Sequence, residues 1–195
     1  CDEHGILLIA DEIQSGMGRT GQWWAIQHAG VEPDIITTAK GIASGMPIGA
    51  FVARESVWTW PPGAHGSTFA GNPVCAAAGL ATMDLIEDTL LANAGAMGDR
   101  LRGGLERVCA DADGVRDIRG MGLMIGVEFD THGRAEAVQE AAFHGGLLVL
   151  EAGESVLRFS PPLVIDEAAV DKALAIFGEA LKAGNESRGI DATGG

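Results

Sequence analysis

Lys40 occupies a position at which an amine can act as a nucleophile. It follows a β-branched strand candidate, residues 35–38, and opens the glycine-rich stretch 41–49. We expect a lysine at the end of a buried strand to be partly desolvated, which favours its neutral form. A neutral amine in a cleft is what Schiff-base chemistry requires. Taken alone, the same lysine could also be a surface residue whose stem packs along the protein.

An acidic pair, Asp11-Glu12, follows an earlier apolar run, residues 6–10, which we predict to be a buried parallel strand. Open α/β sheets build their sites at the carboxyl ends of parallel strands. A buried aspartate needs a cationic partner, and a protonated pyridine nitrogen would serve. Gln14 lies three residues further on and could turn its amide toward the same ligand. Taken alone, Asp11 is also compatible with a helix cap.

Two other interpretations of this segment stay open. An apolar strand that ends in Asp11-Glu12 is also typical of a Walker B strand, in which the aspartate holds Mg²⁺ in an ATPase. No G-x-x-x-x-G-K-[ST] phosphate loop accompanies it in this chain. Residues 16–21 match G-x-G-x-x-G, but five residues separate the strand from the first glycine. The spacing therefore favours a plain turn over a dinucleotide site.

A pair of hydroxyl side chains, Ser67-Thr68, follows Gly66, and Asn72-Pro73 begins a predicted helix a few residues later. Hydroxyl groups and the amides of a helix N-terminus suit a phosphate group. Taken alone, the pair is also compatible with an ordinary loop.

The elements that must position these residues form an α/β chain in two parts. Strands predicted at 6–10, 35–38 and 49–54, with a helix from residue 72 to about 87, make up a first domain over residues 1–88. A smaller α+β domain, residues 89–184, contains helices at 90–110, 134–144 and 166–182 and strands at 115–119, 123–129, 147–150 and 156–159. Residues 185–195 are typical of a flexible tail.

Composition excludes several classes of function. The 195 residues hold 13 Lys and Arg against 27 Asp and Glu, a net charge of −14, and no basic patch for nucleic acid is found. No apolar run approaches the ~18 residues of a membrane span. The five histidines show no metal-ligand spacing. Three widely spaced cysteines predict free, buried thiols in a reducing cytoplasm.

Five segments, taken together and in order, resemble the class III aminotransferases, which are fold-type I enzymes that depend on pyridoxal 5′-phosphate (PLP). They are LIADEIQSGMGRTG (8–21), PDIITTAKGIASGMPIG (33–49), GSTFAGNP (66–73), RGMGLMIGVE (119–128) and LRFSPPL (157–163). The resemblance extends from Gly5 to about Lys182. It implies that residues 1–88 are the C-terminal part of a PLP-binding large domain and that 89–184 form the small C-terminal domain.

The resemblance implies a role for three residues near the cofactor ring. Lys40 matches the lysine that forms a Schiff base with PLP and then moves a proton. Asp11 matches the acid that keeps the pyridine nitrogen protonated, so that the ring can act as an electron sink. Gln14 matches the glutamine that hydrogen-bonds the ring hydroxyl.

It implies further roles at the phosphate and at the substrate. Thr68 matches the threonine that reaches across a dimer to the phosphate of the neighbouring subunit's PLP, and Ser67 lies beside it. Arg158 matches the arginine that receives the substrate carboxylate, a task that suits its planar fork. A surface ion pair on a strand is the alternative for Arg158.

The reaction implied is transfer of an amino group from an amino acid or ω-amine donor to a 2-oxo acid, in a cytoplasmic homodimer or larger homo-oligomer. Within that family, the five segments most resemble those of enzymes acting on 4-aminobutyrate, acetylornithine or ornithine. A PLP-dependent racemase, decarboxylase or aminomutase of the same family is the alternative. Because the family's phosphate-binding turn precedes these motifs, we expect the isolated chain to be inactive and to expose unpaired strand edges.

Overall fold

The computed structural model describes residues 1–191, with side chains described through residue 184. The chain divides into two compact units, Cys1–Leu91 and Ala92–Gly195. The first unit ends close to the boundary predicted near residue 88. Each unit is described below by itself.

The first unit is built on a three-stranded mixed sheet in the order β1-β2-β3. Its strands are β1 (Ile9–Asp11), β2 (Ile35–Thr38) and β3 (Ala50–Ala53). β1 and β2 are parallel, with Asp11 opposite Thr37, whereas β3 is antiparallel to β2. Parallel strands run in the same direction, so the carboxyl ends of β1 and β2 lie side by side at one end of the sheet. The segments that follow the two strands therefore start close together.

The predicted buried strand at residues 6–10 is shorter and more exposed than expected. Only Ile9–Asp11 is strand, and Ile6, Leu7 and Ile9 are 58%, 53% and 56% exposed. The physical reason is the position of β1 at the edge of the sheet, where within the described residues it has a strand neighbour on one side only. The expectation of a buried strand is therefore wrong for this chain.

Short 3-10 helices and one longer helix complete the first unit. The 3-10 helices are Asp2–His4, Ala25–Ala29, Lys40–Ala43 and Glu55–Val57. Helix α1 (Pro73–Leu85) begins where the Asn72-Pro73 signal predicts, because Asn72 caps it and Pro73 occupies its first turn. A π-helical turn, Ile86–Leu90, follows α1.

The second unit packs three helices and an antiparallel sheet around one core. Helix α2 spans Leu91–Cys109, α3 spans His132–His144 and α4 spans Glu167–Asp191. The strands are β4 (Val115–Met121), β5 (Met124–Phe129), β6 (Leu150–Glu151) and β7 (Val156–Phe159), in the order β4-β5-β7-β6. Alternate β5 residues, Ile125, Val127 and Phe129, enter the same buried cluster as side chains of all three helices.

The end of the chain differs from the prediction. Helix α4 continues to Asp191, past residue 182 where the sequence predicts its end, and Asp166 caps it by accepting a hydrogen bond from Ala169 N at 2.9 Å. Of the predicted tail, 185–195, residues 192–195 lie outside the described residues.

The three cysteines are free, as predicted, but only two of them are buried. Cys75 and Cys109 are buried, whereas Cys1 is exposed at the chain's first position. Burial raises the pKa of the Cys109 thiol to about 11. Within the described residues, no helix is both long and apolar enough to cross a membrane.

Candidate active site

Lys40 follows β2 by two residues and opens the 3-10 helix Lys40–Ala43. Its backbone is left-handed, with φ +48°, a conformation that residues other than glycine adopt at some cost. The expectation that its amine is partly desolvated is wrong for the described chain, because Lys40 is exposed. The left-handed turn places Lys40 beyond the end of the sheet, where its amine is accessible to a bound ligand.

Helix α1 holds the turn that carries Lys40 in place. Ile42 and Ala43 are buried, and the backbone of Ile42 lies close to Gly79 of α1. Ser44 Oγ lies 2.9 Å from Thr82 Oγ1 on the same helix. The exposed amine of Lys40 is therefore attached to a backbone segment that packing and a hydrogen bond hold in place.

Asp11 is the last residue of β1 and lies at the same edge of the sheet. Asp11 is exposed, because it ends an outer strand of the sheet. The expectation of a buried aspartate is therefore wrong here. Oδ1 accepts hydrogen bonds from Ile13 N at 3.1 Å and from Thr37 Oγ1 at 3.3 Å. Both bonds fall on one oxygen, so in the described part of the chain Oδ2 is available to a ligand.

Glu12, the second half of the acidic pair, has a different environment. It is 3% exposed, and its two oxygens accept hydrogen bonds from Ser15 Oγ at 2.5 Å and from Ile26 N at 2.7 Å. A Walker B strand would present its acidic pair to a metal and a nucleotide. Here the glutamate is used within the fold, which disfavours the ATPase interpretation.

Gln14 lies in the turn that follows the acidic pair, and its side chain is exposed. The turn continues through residues 16–21, where Gly18 and Gly21 have φ of +82° and +84°. Gly21 N donates to Gly18 O at 3.0 Å, which is a local turn contact. The glycine pattern therefore forms turns, as predicted, and opens no helix of the kind that a dinucleotide fold requires.

The glycine-containing loop and the Lys40 turn contact each other. Met17, with φ +54°, is buried, and its Cβ lies 3.5 Å from the position that a Cβ on Gly41 would take. Gly41 directly follows Lys40. The segments after β1 and β2 thus form one packed surface at the carboxyl edge of the sheet.

Ser67 and Thr68 are exposed in the loop that precedes α1. Within the described residues, neither forms a hydrogen bond with Asp11 or Lys40, so the structure does not bring these two groups together. The helix amides predicted to assist them are already used, because Asn72 Oδ1 accepts from Val74 N at 2.9 Å and Cys75 N at 3.4 Å. That part of the prediction is wrong, and the two hydroxyls remain as candidate phosphate donors.

Arg158 belongs to the second unit, where it occupies the middle of β7. Its neighbours along the strand, Leu157 and Phe159, are buried in the core, so the half-buried Arg158 emerges on the opposite face of the sheet. The residues opposite it on the adjacent strands are Gly126 and Leu150. A Cβ on Gly126 would lie 2.9 Å from Cγ1 of Val156, so the side chain of Val156, two residues before Arg158 in β7, covers the sheet at that point.

Two residues of this site were missed by sequence reasoning. Thr37 donates to Asp11, and only the pairing register of β1 and β2 shows that it lies opposite. Glu12 had a usable signal, because consecutive strand residues point to opposite faces, and Asp11 and Glu12 therefore cannot share one role. Within the described residues, no group of three or more His, Cys, Asp or Glu is placed to hold a metal ion.

Comparison with known proteins places this arrangement in a family. The sequence profile described as "Aminotransferase class-III" matches residues 1–181. The chain belongs to the class-III aminotransferases. The resemblance identified from the five segments is therefore confirmed, as is the α/β fold that it implies.

Curated relatives of this class-III aminotransferase chain are named acetylornithine aminotransferases. The protein from Synechocystis sp. is 45% identical over 185 residues, which cover 93% of this chain and 43% of the relative. The protein from Bifidobacterium longum is 46% identical over 184 residues, which cover 91% of this chain and 42% of the relative. The chain thus spans less than half the length of these relatives.

Solved structures give the same result for the fold. An ornithine aminotransferase from Toxoplasma gondii superposes with a TM-score of 0.89 at 34% identity, covering 96% of this chain and 46% of that one. N-acetylornithine aminotransferase from Stenotrophomonas maltophilia gives a TM-score of 0.84 at 36% identity, covering 96% of this chain and 50% of that one.

Proposed function

We propose that the protein carrying this chain transfers an amino group from an amino acid or ω-amine donor to a 2-oxo acid, with PLP as cofactor. The observation that carries the proposal is the position of Asp11 and Lys40. Asp11 ends β1 and Lys40 follows β2, so both lie at the carboxyl ends of two paired parallel strands. A carboxylate and an accessible amine at one edge of a parallel strand pair suit a cofactor with a basic ring nitrogen and an aldehyde.

The side chains at the carboxyl ends of these two strands fit that cofactor. Asp11 Oδ2 is available as an acceptor for a protonated ring nitrogen, and Thr37 and Ile13 N hold Oδ1 in place. Gln14 is exposed three residues after Asp11, and we assign its side-chain amide to the ring hydroxyl. When bound, PLP supplies an aldehyde and an electron-withdrawing ring.

The chain's own residues would bind and orient the substrate and move its proton. Lys40 Nζ would take the proton from the substrate carbon that bears the amine and deliver it to the cofactor carbon, and it would move a proton in the opposite direction in the second half-reaction. Arg158 receives the substrate carboxylate through its planar fork. Thr68, with Ser67 beside it, donates to the cofactor phosphate of a neighbouring subunit, so the active protein is a homodimer or larger homo-oligomer. We place it in the cytoplasm.

The substrate class follows from the relatives rather than from this geometry. Their names point to acetylornithine and ornithine as amino donors. We propose a donor of that type, with 4-aminobutyrate as a further candidate. A racemase, decarboxylase or aminomutase would use the same lysine and aspartate, so only product analysis separates these reactions from amino transfer.

An assay of paired donors and acceptors tests the proposal. The protein from the complete open reading frame, supplied with PLP, should convert a 2-oxo acid into its amino acid only when an amino donor is present. Lys40→Ala should lower the rate by at least about 10²-fold, because the proton carrier is lost. The matched control is Lys172→Ala, which changes an exposed lysine on α4. Conversion of a single amino acid without an acceptor would instead support the racemase or decarboxylase alternative.

A further inference from the structure

Glu12 is a buried carboxylate that the proposed reaction does not use. It is 3% exposed, although the neighbouring Asp11 is exposed at the edge of the sheet. Burying an ionisable group is costly unless hydrogen bonds compensate for the loss of water. Both carboxylate oxygens have such partners, and both partners lie in the loop that carries Gln14 or at the end of that loop.

One oxygen of Glu12 closes the turn around Gln14. Oε2 accepts a hydrogen bond from Ser15 Oγ at 2.5 Å, and the backbone oxygen of Glu12 accepts from Gly16 N at 3.0 Å. Gln14 lies between these two anchor points in the chain. The position of its backbone is therefore determined by the residue that directly follows Asp11.

The other oxygen holds the far end of the loop. Oε1 accepts from Ile26 N at 2.7 Å, and Ile26 is the second residue of the 3-10 helix Ala25–Ala29. The first amides of a helix have no partner within the helix, so Glu12 satisfies one of them. A single side chain thus joins the start of the loop to its end, 14 residues apart in sequence.

The backbone of Glu12 is itself fixed by the sheet. Glu12 N donates to Thr37 O at 2.9 Å, which continues the pairing of β1 with β2 by one residue. Asp11 and Glu12 point to opposite sides, as consecutive residues of an extended chain do. The carboxylate of Asp11 therefore faces the candidate site, whereas the carboxylate of Glu12 holds the neighbouring loop that carries Gln14.

We propose that Glu12 is a positioning residue that holds Gln14 in place beside Asp11 for contact with the cofactor ring. The inference rests on the proposed function. Glu12 touches neither cofactor nor substrate, and it acts through the turn that it closes with Ser15. The acidic pair is thereby divided between a binding residue and a positioning residue.

The test uses the PLP-loaded protein from the complete open reading frame, with two readouts other than turnover. These are the visible absorption band of the lysine-bound cofactor and the PLP dissociation constant. Gln14→Ala removes one hydrogen bond to the ring and should weaken PLP binding about fivefold and shift the band. Glu12→Ala should reproduce both effects, and Glu12→Gln, which keeps an acceptor oxygen, should restore most of the affinity.

A double variant separates positioning from general destabilisation. If Glu12 acts through Gln14, adding Glu12→Ala to Gln14→Ala should change PLP affinity by less than about twofold further. Ser15→Ala, which keeps the buried carboxylate, should shift the band in the same direction and provides the test if Glu12→Ala does not fold. Asp34→Ala is the matched control. Asp34 accepts from Leu8 N at 2.8 Å at the opposite end of β2, so its loss should lower stability without moving the band.

Four outcomes would overturn the inference. A normal band and PLP affinity in Glu12→Ala and Ser15→Ala would show that Glu12 does not position Gln14. Fully additive losses in the double variant, or an equal band shift in Asp34→Ala, would show that its role is only structural. Absence of the band in the unmodified protein would overturn the proposed function, and this inference with it. An unchanged band in Glu12→Ala and Ser15→Ala, with a normal band in the unmodified protein, would overturn the inference alone.

Discussion

Gly16 occupies a position in which any side chain collides with its surroundings. A Cβ there would lie 2.7 Å from Trp24 Cε3 and 2.8 Å from the backbone oxygen of Glu12. Ordinary carbon contacts begin near 3.5 Å, so in Gly16→Ala the new methyl group and the Trp24 ring must move apart by about 0.8 Å. The oxygen of Glu12 is held by its own hydrogen bond from Gly16 N, so the backbone cannot yield without loss. Overpacking of this kind costs about 1–3 kcal/mol.

Amide hydrogen exchange of the peptide spanning residues 12–29, measured in the protein from the complete open reading frame, checks this value locally. A cost of about 1–3 kcal/mol corresponds to exchange roughly 5- to 150-fold faster at amides such as Ile26 N, which Glu12 holds. Gly66→Ala is the matched control, because no atom lies within 4 Å of the added methyl group. Exchange accelerated less than about threefold in Gly16→Ala would refute the packing argument.

Two further predictions concern the second unit. Gly98→Ala on α2 should lower stability by about 1–3 kcal/mol in urea unfolding, because its Cβ would lie 2.4 Å from the backbone of Gly122. Gly95→Ala on the same helix meets no atom within 4 Å and should be neutral or stabilise by up to about 1 kcal/mol; equal effects would contradict the account. Burial raises the pKa of Cys109 to about 11, so the unfolded chain loses this proton first as pH rises. Stability should therefore fall above pH ~9 by on the order of 1 kcal/mol per pH unit until about pH 11, and a Cys109→Ala variant that shows the same decline in urea titrations would refute this.

Local signals in the sequence were sufficient for most elements. β2 spans the residues predicted from the β-branched run, and α1 begins at the predicted Asn72-Pro73 signal. The strand β7 matches its prediction residue for residue. These elements depend on side-chain type and on caps, which can be recognised without knowledge of the neighbours.

Burial could not be predicted in the same way, because it depends on what covers an element. The apolar run at residues 6–10 has the composition of a buried strand, yet Ile6 and Leu7 are exposed at the edge of the sheet. For the same reason Lys40 was expected to be partly desolvated and Asp11 to be buried, and both are exposed. Composition alone does not show which neighbours a strand has within a chain that spans less than half of its relatives.

The candidate site could also be predicted only in part from the sequence. The residue types of Asp11, Gln14 and Lys40 and their motif were recognisable, as was the common edge of two parallel strands. The hydrogen bonds that orient the carboxylate and close the loop depend on pairing register and on a turn, so the contributions of Thr37 and Glu12 became visible only in the structure. Sequence reasoning found the candidate binding residues and missed the residues that hold them in place.

Chemical trapping of the cofactor tests the central claim most directly. The protein from the complete open reading frame is mixed with PLP, reduced with borohydride, digested and analysed by mass spectrometry. A Schiff base would be fixed by reduction as a stable amine, so the account predicts the added mass on the peptide that contains Lys40. Within this chain the other lysines, Lys172 and Lys182, serve as internal controls because both are exposed on α4. Stoichiometric label on either of them with Lys40 unmodified, or no label on the chain, would contradict the account.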